Sequence, residues 1–281
     1  MDTKKPFDFW IFATVLVLLS FGIIMVFSAS APYAYYYEHD TYYFLKKQLM
    51  FGILGLFAMA VTMKIDYRKL GKLSPLLLAA SIFMLIMVRI PGIGRNINGA
   101  WRWFYIGSFS FQPSEVAKIA VILFLSFSLA KRKEKLAYFS KGLFPYLMLI
   151  GVFAGLLMLE PHFSCTILIC FVSFVILYCA GAKLMHFFLL SIPAVLGVIV
   201  LIIKSPYRLA RVLSFLDPWK DLKGNGWQVV QSLYAIGSGG VFGRGLGHSL
   251  QKFLYIPEPH NDFIFAILSE ELGFVGVVAV L

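Results

Sequence analysis

The chain has 281 residues, of which 60% are hydrophobic, 17% aromatic and only 14% charged, with a net charge of +11 and a mean hydropathy of +0.82. Soluble domains carry about a quarter charged residues, so this balance excludes one and points to an integral membrane protein. The positive charge calls for no nucleic acid, because topology and anionic lipid headgroups account for about half of the basic residues.

Apolar stretches near 9–28, 48–63, 73–90, 113–130, 142–159, 164–182 and 187–203 match the ~20 residues that a helix needs to cross a bilayer, and another opens at 263. The expected fold class is therefore an all-α polytopic membrane protein with seven to eight spans. Lys4, Lys5 and "SASA" (28–31) imitate a cleaved leader. The apolar part is too long for one, so the first stretch reads as an uncleaved helix. An N-terminus inside places twelve basic residues in the inside segments: Lys4, Lys5, Lys64, Arg68, Lys69, Lys72, Lys131, Arg132, Lys133, Lys135, Lys141 and Lys183. Only Lys46, Lys47, Arg89, Arg95 and Arg102 fall in the short outside loops, as the positive-inside rule requires. Residues 204–262 then form a large extracytoplasmic loop before the eighth span. The chain stops at Leu281 inside an apolar run, and a half-built span leaves backbone groups unpaired in lipid, so a C-terminal part is expected to be missing. Cys165, Cys170 and Cys179 share one span and have neither metal-ligand nor disulfide spacing.

Polar residues resist the apolar background in three places. In "GRNINGAWRWFYIGSFSFQPSEVAKIA" (94–120), Arg95 and Arg102 precede a helix with Pro113 in its first turn. Glu115 and Lys118 lie on one face of that helix and neutralise each other; a structural ion pair and a substrate contact are both open readings. In the long outside segment, "GSGGVFGRGLG" (237–247), flanked by Arg244 and Lys252, is either a phosphate cradle or a tight turn without a ligand. It fits neither the dinucleotide fingerprint nor the P-loop. In "YIPEPHNDFIF" (255–265), Glu258, His260 and Asp262 stand at the threshold of the last apolar run. Asp262 should sit at the interface, where partial desolvation makes a carboxylate a better base. On chemistry alone, a cluster of interfacial anchors explains these residues equally well.

The stretches "NGAWRWFYIGSFSFQPSEVAK", "GWQVVQSLYAIGSGGVFGRGLGHSLQKFLYIPEPHNDFIFAILSEELG" and "GIIMVFSASAP" together resemble the SEDS family of FtsW, RodA and SpoVE proteins, nearer the FtsW and SpoVE branch. The resemblance implies a single membrane domain over 1–281 cut from a fold of ten transmembrane helices. It also implies a multi-pass protein of the bacterial cytoplasmic membrane that polymerises lipid II, the undecaprenyl-pyrophosphate disaccharide peptide, beside a class B penicillin-binding protein. The family's motif aspartate falls on Asp262 within "HNDF", as catalytic base. Arg102, Glu115, Lys118, Arg244, Lys252 and His260 are implied as substrate-binding, with the cations on the phosphate side. No organic cofactor is implied, and a divalent cation at the pyrophosphate is left open. Direct displacement at an α-linked donor implies inversion to a β-linked glycan.

One departure stands out. Where the family reads "QPDLGT", this chain reads "EPHFSCT" (160–166), with Glu160 and His162 replacing Gln and Asp. Two other functions compete with polymerisation: flipping lipid II across the bilayer, and a non-catalytic scaffold for the penicillin-binding partner. An outside base is needed for polymerisation and has no part in flipping, so Asp262 discriminates between the first two.

Overall fold

Helices occupy every apolar stretch read from the sequence. The computed structural model describes residues 8–281 except 98, 108, 132–138, 223 and 225. Of the basic residues counted for topology, Lys4, Lys5, Arg132, Lys133 and Lys135 lie outside the described residues. The elements run α1 (Phe9–Glu38), α2 (Tyr43–Thr62), α3 (Tyr67–Met87), β1 (Gly94–Ile97), β2 (Ala100–Ile106), β3 (Phe109–Phe111), α4 (Pro113–Lys131), α5 (Phe144–Leu159), α6 (Phe163–Cys179), α7 (Leu184–Ile203), α8 (Pro206–Leu216), α9 (Trp227–Gly239) and α10 (Ile264–Val280). Among the described residues, α1 to α4 are long and apolar enough to cross a membrane, and α5 and α6 are shorter apolar helices.

Local chemistry sets several helix starts. The Asp8 carboxylate accepts from the backbone N–H groups of Trp10 (3.0 Å) and Ile11 (3.2 Å), and Asp66 accepts from Arg68 N–H (2.9 Å), so each caps donors that a first turn leaves free. Pro113 opens α4, where its missing N–H costs nothing. At 30 residues and roughly 45 Å, α1 outlasts the 20 expected and carries "APYAYYYE" beyond the apolar stretch.

Two stretches taken from sequence as loops have structure of their own. Residues 94–111 form an antiparallel three-stranded sheet, β1–β2–β3, with Gly94 opposite Phe104 and Phe104 opposite Phe111. The segment 204–262 holds α8, a 3₁₀ turn (Pro218–Asp221) and α9. With 11 and 13 residues, α8 and α9 are too short to cross a bilayer.

The chain groups into two compact units, Met1–Thr62 with Ile199–Leu281, and Met63–Val198. In the first, α1 packs on α2 and α10, and α9 packs on α10, around Ala29, Ala235, Ile256, Ala266 and Ile267. Three alanines among these five side chains let the helix backbones approach closely. In the second, α3 packs on α4 and α6 on both α4 and α5, around Leu85, Leu125, Phe153, Leu157 and Leu177.

Gly273 breaks α10 with a left-handed φ of 66°. A break frees backbone groups that lipid cannot satisfy. The glycine-rich segment supplies their partners: Arg244 N–H donates to Glu270 C=O (3.0 Å) and Gly245 N–H to Glu271 C=O (2.9 Å), while Phe274 N–H donates to Gly240 C=O (2.9 Å) and Val275 N–H to Val241 C=O (3.1 Å). Only glycines permit this approach. A Cβ at Gly243 would fall 2.2 Å from Glu271 C=O, and one at Gly273 would fall 2.2 Å from Gly243 N.

Candidate functional site

In the first unit, the stretch before α10 is held at several points. Ile256 is fully buried, and the Trp227 indole N–H at the start of α9 donates to Tyr255 C=O (2.8 Å). The buried His260 ring lies against Phe44 (4.0 Å between centroids) and Tyr33 (5.5 Å). Burial holds the His260 pKa below the usual histidine value, against the opposing pull of Glu258. Asn261 donates to the Glu258 carboxylate (3.0 Å). Asp262 follows this fixed run, exposed and without a hydrogen-bond or ion-pair partner among the described residues. His260 is corrected as a substrate contact, since its ring is enclosed by aromatic side chains.

Beneath this stretch lies an ionic cluster. Glu271, fully buried on α10, accepts from the Ser28 hydroxyl of α1 (2.7 Å) and from the Lys252 ammonium (2.9 Å). Lys252 also donates to Gly247 C=O (2.6 Å) and Ser28 Oγ (3.3 Å). The neighbouring Glu270 accepts from Leu250 N–H (3.0 Å), Gln251 N–H (3.3 Å) and the Arg244 guanidinium (3.1 Å). One assignment made from sequence is therefore corrected, and one open choice is narrowed. Lys252 is buried with its donors spent inside the protein and has no face left for a phosphate. The glycine-rich segment uses its N–H groups to mend the α10 break instead of cradling an anion. Arg244 differs from Lys252, because its side chain is 41% exposed and, among the described residues, it is engaged through Nη1 alone.

In the second unit, Glu115 and Lys118 form the expected i, i+3 pair at 2.8 Å, with Glu115 exposed and Lys118 half-buried, so the pair is not locked in a core. Arg102, on β2, donates through Nε to Glu160 C=O (3.0 Å) and through Nη2 to Pro161 C=O, while Arg89 donates to Leu159 C=O. These arginines satisfy carbonyls that the end of α5 leaves open, at the negative end of the helix dipole. Glu160 itself is 0% exposed, and neither carboxylate oxygen has a hydrogen-bond partner. Burial pushes its pKa up to about 8, although Arg102 and Arg89 pull it down. His162, whose Nδ1 is also buried and unpaired, has its pKa lowered by burial and then by Arg102.

The expected site residues thus divide: Asp262, Arg244, Lys252 and His260 belong to the first unit, and Arg102, Glu115 and Lys118 to the second. Sequence reading missed Ser28, Glu270 and Glu271 as an ionic cluster. The signal was present in "SEELG", since two adjacent acids inside an apolar run demand partners. Among the described residues no group of three or more His, Cys, Asp or Glu side chains is placed to hold a metal ion.

Comparison with known proteins extends over almost the whole chain. The profile of the FtsW, RodA and SpoVE family, described as a cell cycle protein, matches residues 9–281. The "Probable peptidoglycan glycosyltransferase FtsW" of Geobacter sp. (strain M18) is 39% identical over 280 residues, covering 100% of this chain and 76% of the relative. Stage V sporulation protein E of Bacillus subtilis (strain 168) is 42% identical over 282 residues, covering 100% and 77%. Among solved structures, a chain of a peptidoglycan synthase complex that coordinates polymerization and crosslinking superposes with a TM-score of 0.76 at 30% identity, covering 98% of this chain and 74% of that one.

Proposed function

The chain belongs to the FtsW/RodA/SpoVE family, on its FtsW and SpoVE branch, and from that premise we propose that it is a peptidoglycan glycosyltransferase. It polymerises lipid II at the outer face of the cytoplasmic membrane, in division or sporulation, beside a class B penicillin-binding protein. The observation that carries the reading is full-length similarity, 39% over 280 residues, to a relative named for that activity. Asp262 supports it as base: an exposed carboxylate without a protein partner, at the end of a stretch fixed by Ile256, Trp227 and His260.

The reaction needs little acid. Asp262 takes the proton of the acceptor sugar hydroxyl as its oxygen bonds to the donor's anomeric carbon. The bond from that carbon to the pyrophosphate oxygen breaks, and the electron pair leaves with the undecaprenyl pyrophosphate. Attack opposite the leaving group inverts an α-linked donor to a β-linked glycan. The departing charge calls for a fixed cation. Arg244 is assigned that part, as an exposed cation held by Glu270 in the same unit and the same chain segment as Asp262.

The test replaces Asp262 by asparagine, which keeps size and much of the hydrogen bonding but takes up no proton at neutral pH. Purified wild type and Asp262→Asn, each with the class B partner, are given lipid II at matched folded amounts. The expected result is a ~10²–10⁴-fold loss of glycan formation with the partner complex intact. Glycan made at the wild-type rate would overturn the base assignment. Flipping retained while polymerisation is lost would separate transport from catalysis.

A further inference from the structure

We propose that α8 is a membrane-surface helix, which lies in the bilayer interface on the side where Asp262 stands and binds anionic phospholipid headgroups. The inference does not depend on the glycosyltransferase reading.

Its first support is the amphipathic pattern. Leu209, Val212, Leu213 and Leu216 follow one another at i, i+3, i+4 and i+7, so a single stripe of α8 carries four large apolar side chains. All four are exposed, Leu213 at 57% and Leu216 at 73%. The buried residue of the helix is Ser214, which at 100° per residue points away from the stripe. The unit thus receives the small polar side of α8, and the leucine stripe faces outward. In water that stripe would stand uncovered.

Its second support is the distance to the bilayer. The 20 residues of α7, all apolar except His186 and Ser191 in its first half, span about 30 Å, the thickness of the hydrocarbon core, and end at Ile203. Only Lys204 and Ser205 separate Ile203 from Pro206, and two residues reach about 7 Å at most. The corner is fixed, because extended backbone at Ser205 and Pro206 at N1 end one helix and start the next, and Arg208 Nη1 donates back to Leu201 C=O (3.3 Å). α8 therefore begins at the edge of the hydrocarbon and has no room to leave it.

Charge identifies the surface. Residues 204–216 contain Lys204, Arg208 and Arg211 and no acidic residue. Arg208 borders the stripe beside Val212 and Arg211 lies about 60° farther round the same side of the helix, where long side chains reach up to headgroup phosphates while the stripe sinks below them. The side of the membrane follows without any choice of topology, since among the described residues no helix between α7 and α10 is long enough to cross. α8 and Asp262 share one face, and anchoring α8 fixes the height of the segment that carries Asp262.

The test measures depth in the full protein. Leu213→Cys and Tyr207→Cys are made with Cys165, Cys170 and Cys179 replaced by alanine, and each is labelled with an environment-sensitive fluorophore. Reconstitution uses dilute protein in vesicles of phosphatidylcholine, with or without phosphatidylglycerol. The expected result is quenching of the Leu213 label by lipids brominated near the carbonyl end of the acyl chain, and of the Tyr207 label by aqueous iodide. Phosphatidylglycerol should strengthen the bromolipid quenching, Arg208→Gln/Arg211→Gln should abolish that gain, and Arg208→Lys/Arg211→Lys, which keeps the charge, should retain it. Iodide access at Leu213 in both vesicles overturns the proposal, as does protection from both quenchers, which means that protein covers the stripe. Quenching indifferent to phosphatidylglycerol overturns the headgroup assignment.

Discussion

The first unit buries Glu271 beside a serine hydroxyl and a lysine ammonium, whereas the second buries Glu160 with both oxygens unpaired among the described residues. Both carboxylates are 0% exposed. A buried carboxylate keeps its charge only where donors reach it, and otherwise takes a proton. Around Glu271, α1 and the 247–252 turn bring the donors in. Around Glu160, the nearby guanidiniums of Arg102 and Arg89 serve backbone carbonyls and leave the side chain alone. Glu271 works as the acceptor at the centre of a structural lock, and Glu160 as a neutral acid under an arginine-capped turn.

The sharpest way to break this contrast is to remove one partner of the lock. Lys252→Met or Glu271→Gln alone leaves an uncompensated buried group and is expected to cost about 3–5 kcal/mol, while the double variant recovers most of it. Thermal unfolding of the purified protein reads this directly. Single variants as stable as wild type would show the cluster to be open to water.

Glu160→Gln should act in the opposite direction and raise the melting temperature. The folded protein holds the Glu160 proton up to about pH 8, whereas an unfolded chain releases it near the ordinary carboxylate value of 4.5. Between these values the folded state binds more protons, so wild-type stability falls as pH rises. The advantage of Glu160→Gln is therefore expected to be small at about pH 5 and to widen toward pH 8. A constant difference across that range would mean that Glu160 ionises freely.

Arg102→Ala removes two charge-assisted hydrogen bonds to the end of α5, with an expected cost of about 1.5–3 kcal/mol. Arg102→Lys should not restore it, since one ammonium cannot reproduce a fork aimed at two carbonyls. If Arg102→Ala instead lowers glycan synthesis at unchanged melting temperature, the residue meets substrate. The smallest effect belongs to Glu115→Gln/Lys118→Met. Glu115 is exposed and Lys118 half-buried, and removing the pair should shift stability by no more than about 1 kcal/mol. A large loss of polymerisation in that stable variant would place the pair on the substrate.

Sequence alone determined the membrane class, the position of each apolar helix and the polar threshold at Asp262. Those properties follow from composition and from periodicity along a single segment, which lipid and backbone hydrogen bonding dictate locally. The length of α1 was underestimated because its last turns are tyrosine-rich and weakly apolar. The sheet at 94–111 was hidden because its register depends on pairing between strands. Tertiary structure alone decided the roles of the charges. Glu271 meets Ser28 across 243 residues of chain, Lys252 turns inward to join them, and Gly243 and Gly273 are required only because two backbones touch. The sequence names each donor and acceptor, but a charge becomes a lock, a neutral acid or an open site according to which remote donors the packed helices bring within about 3 Å of it.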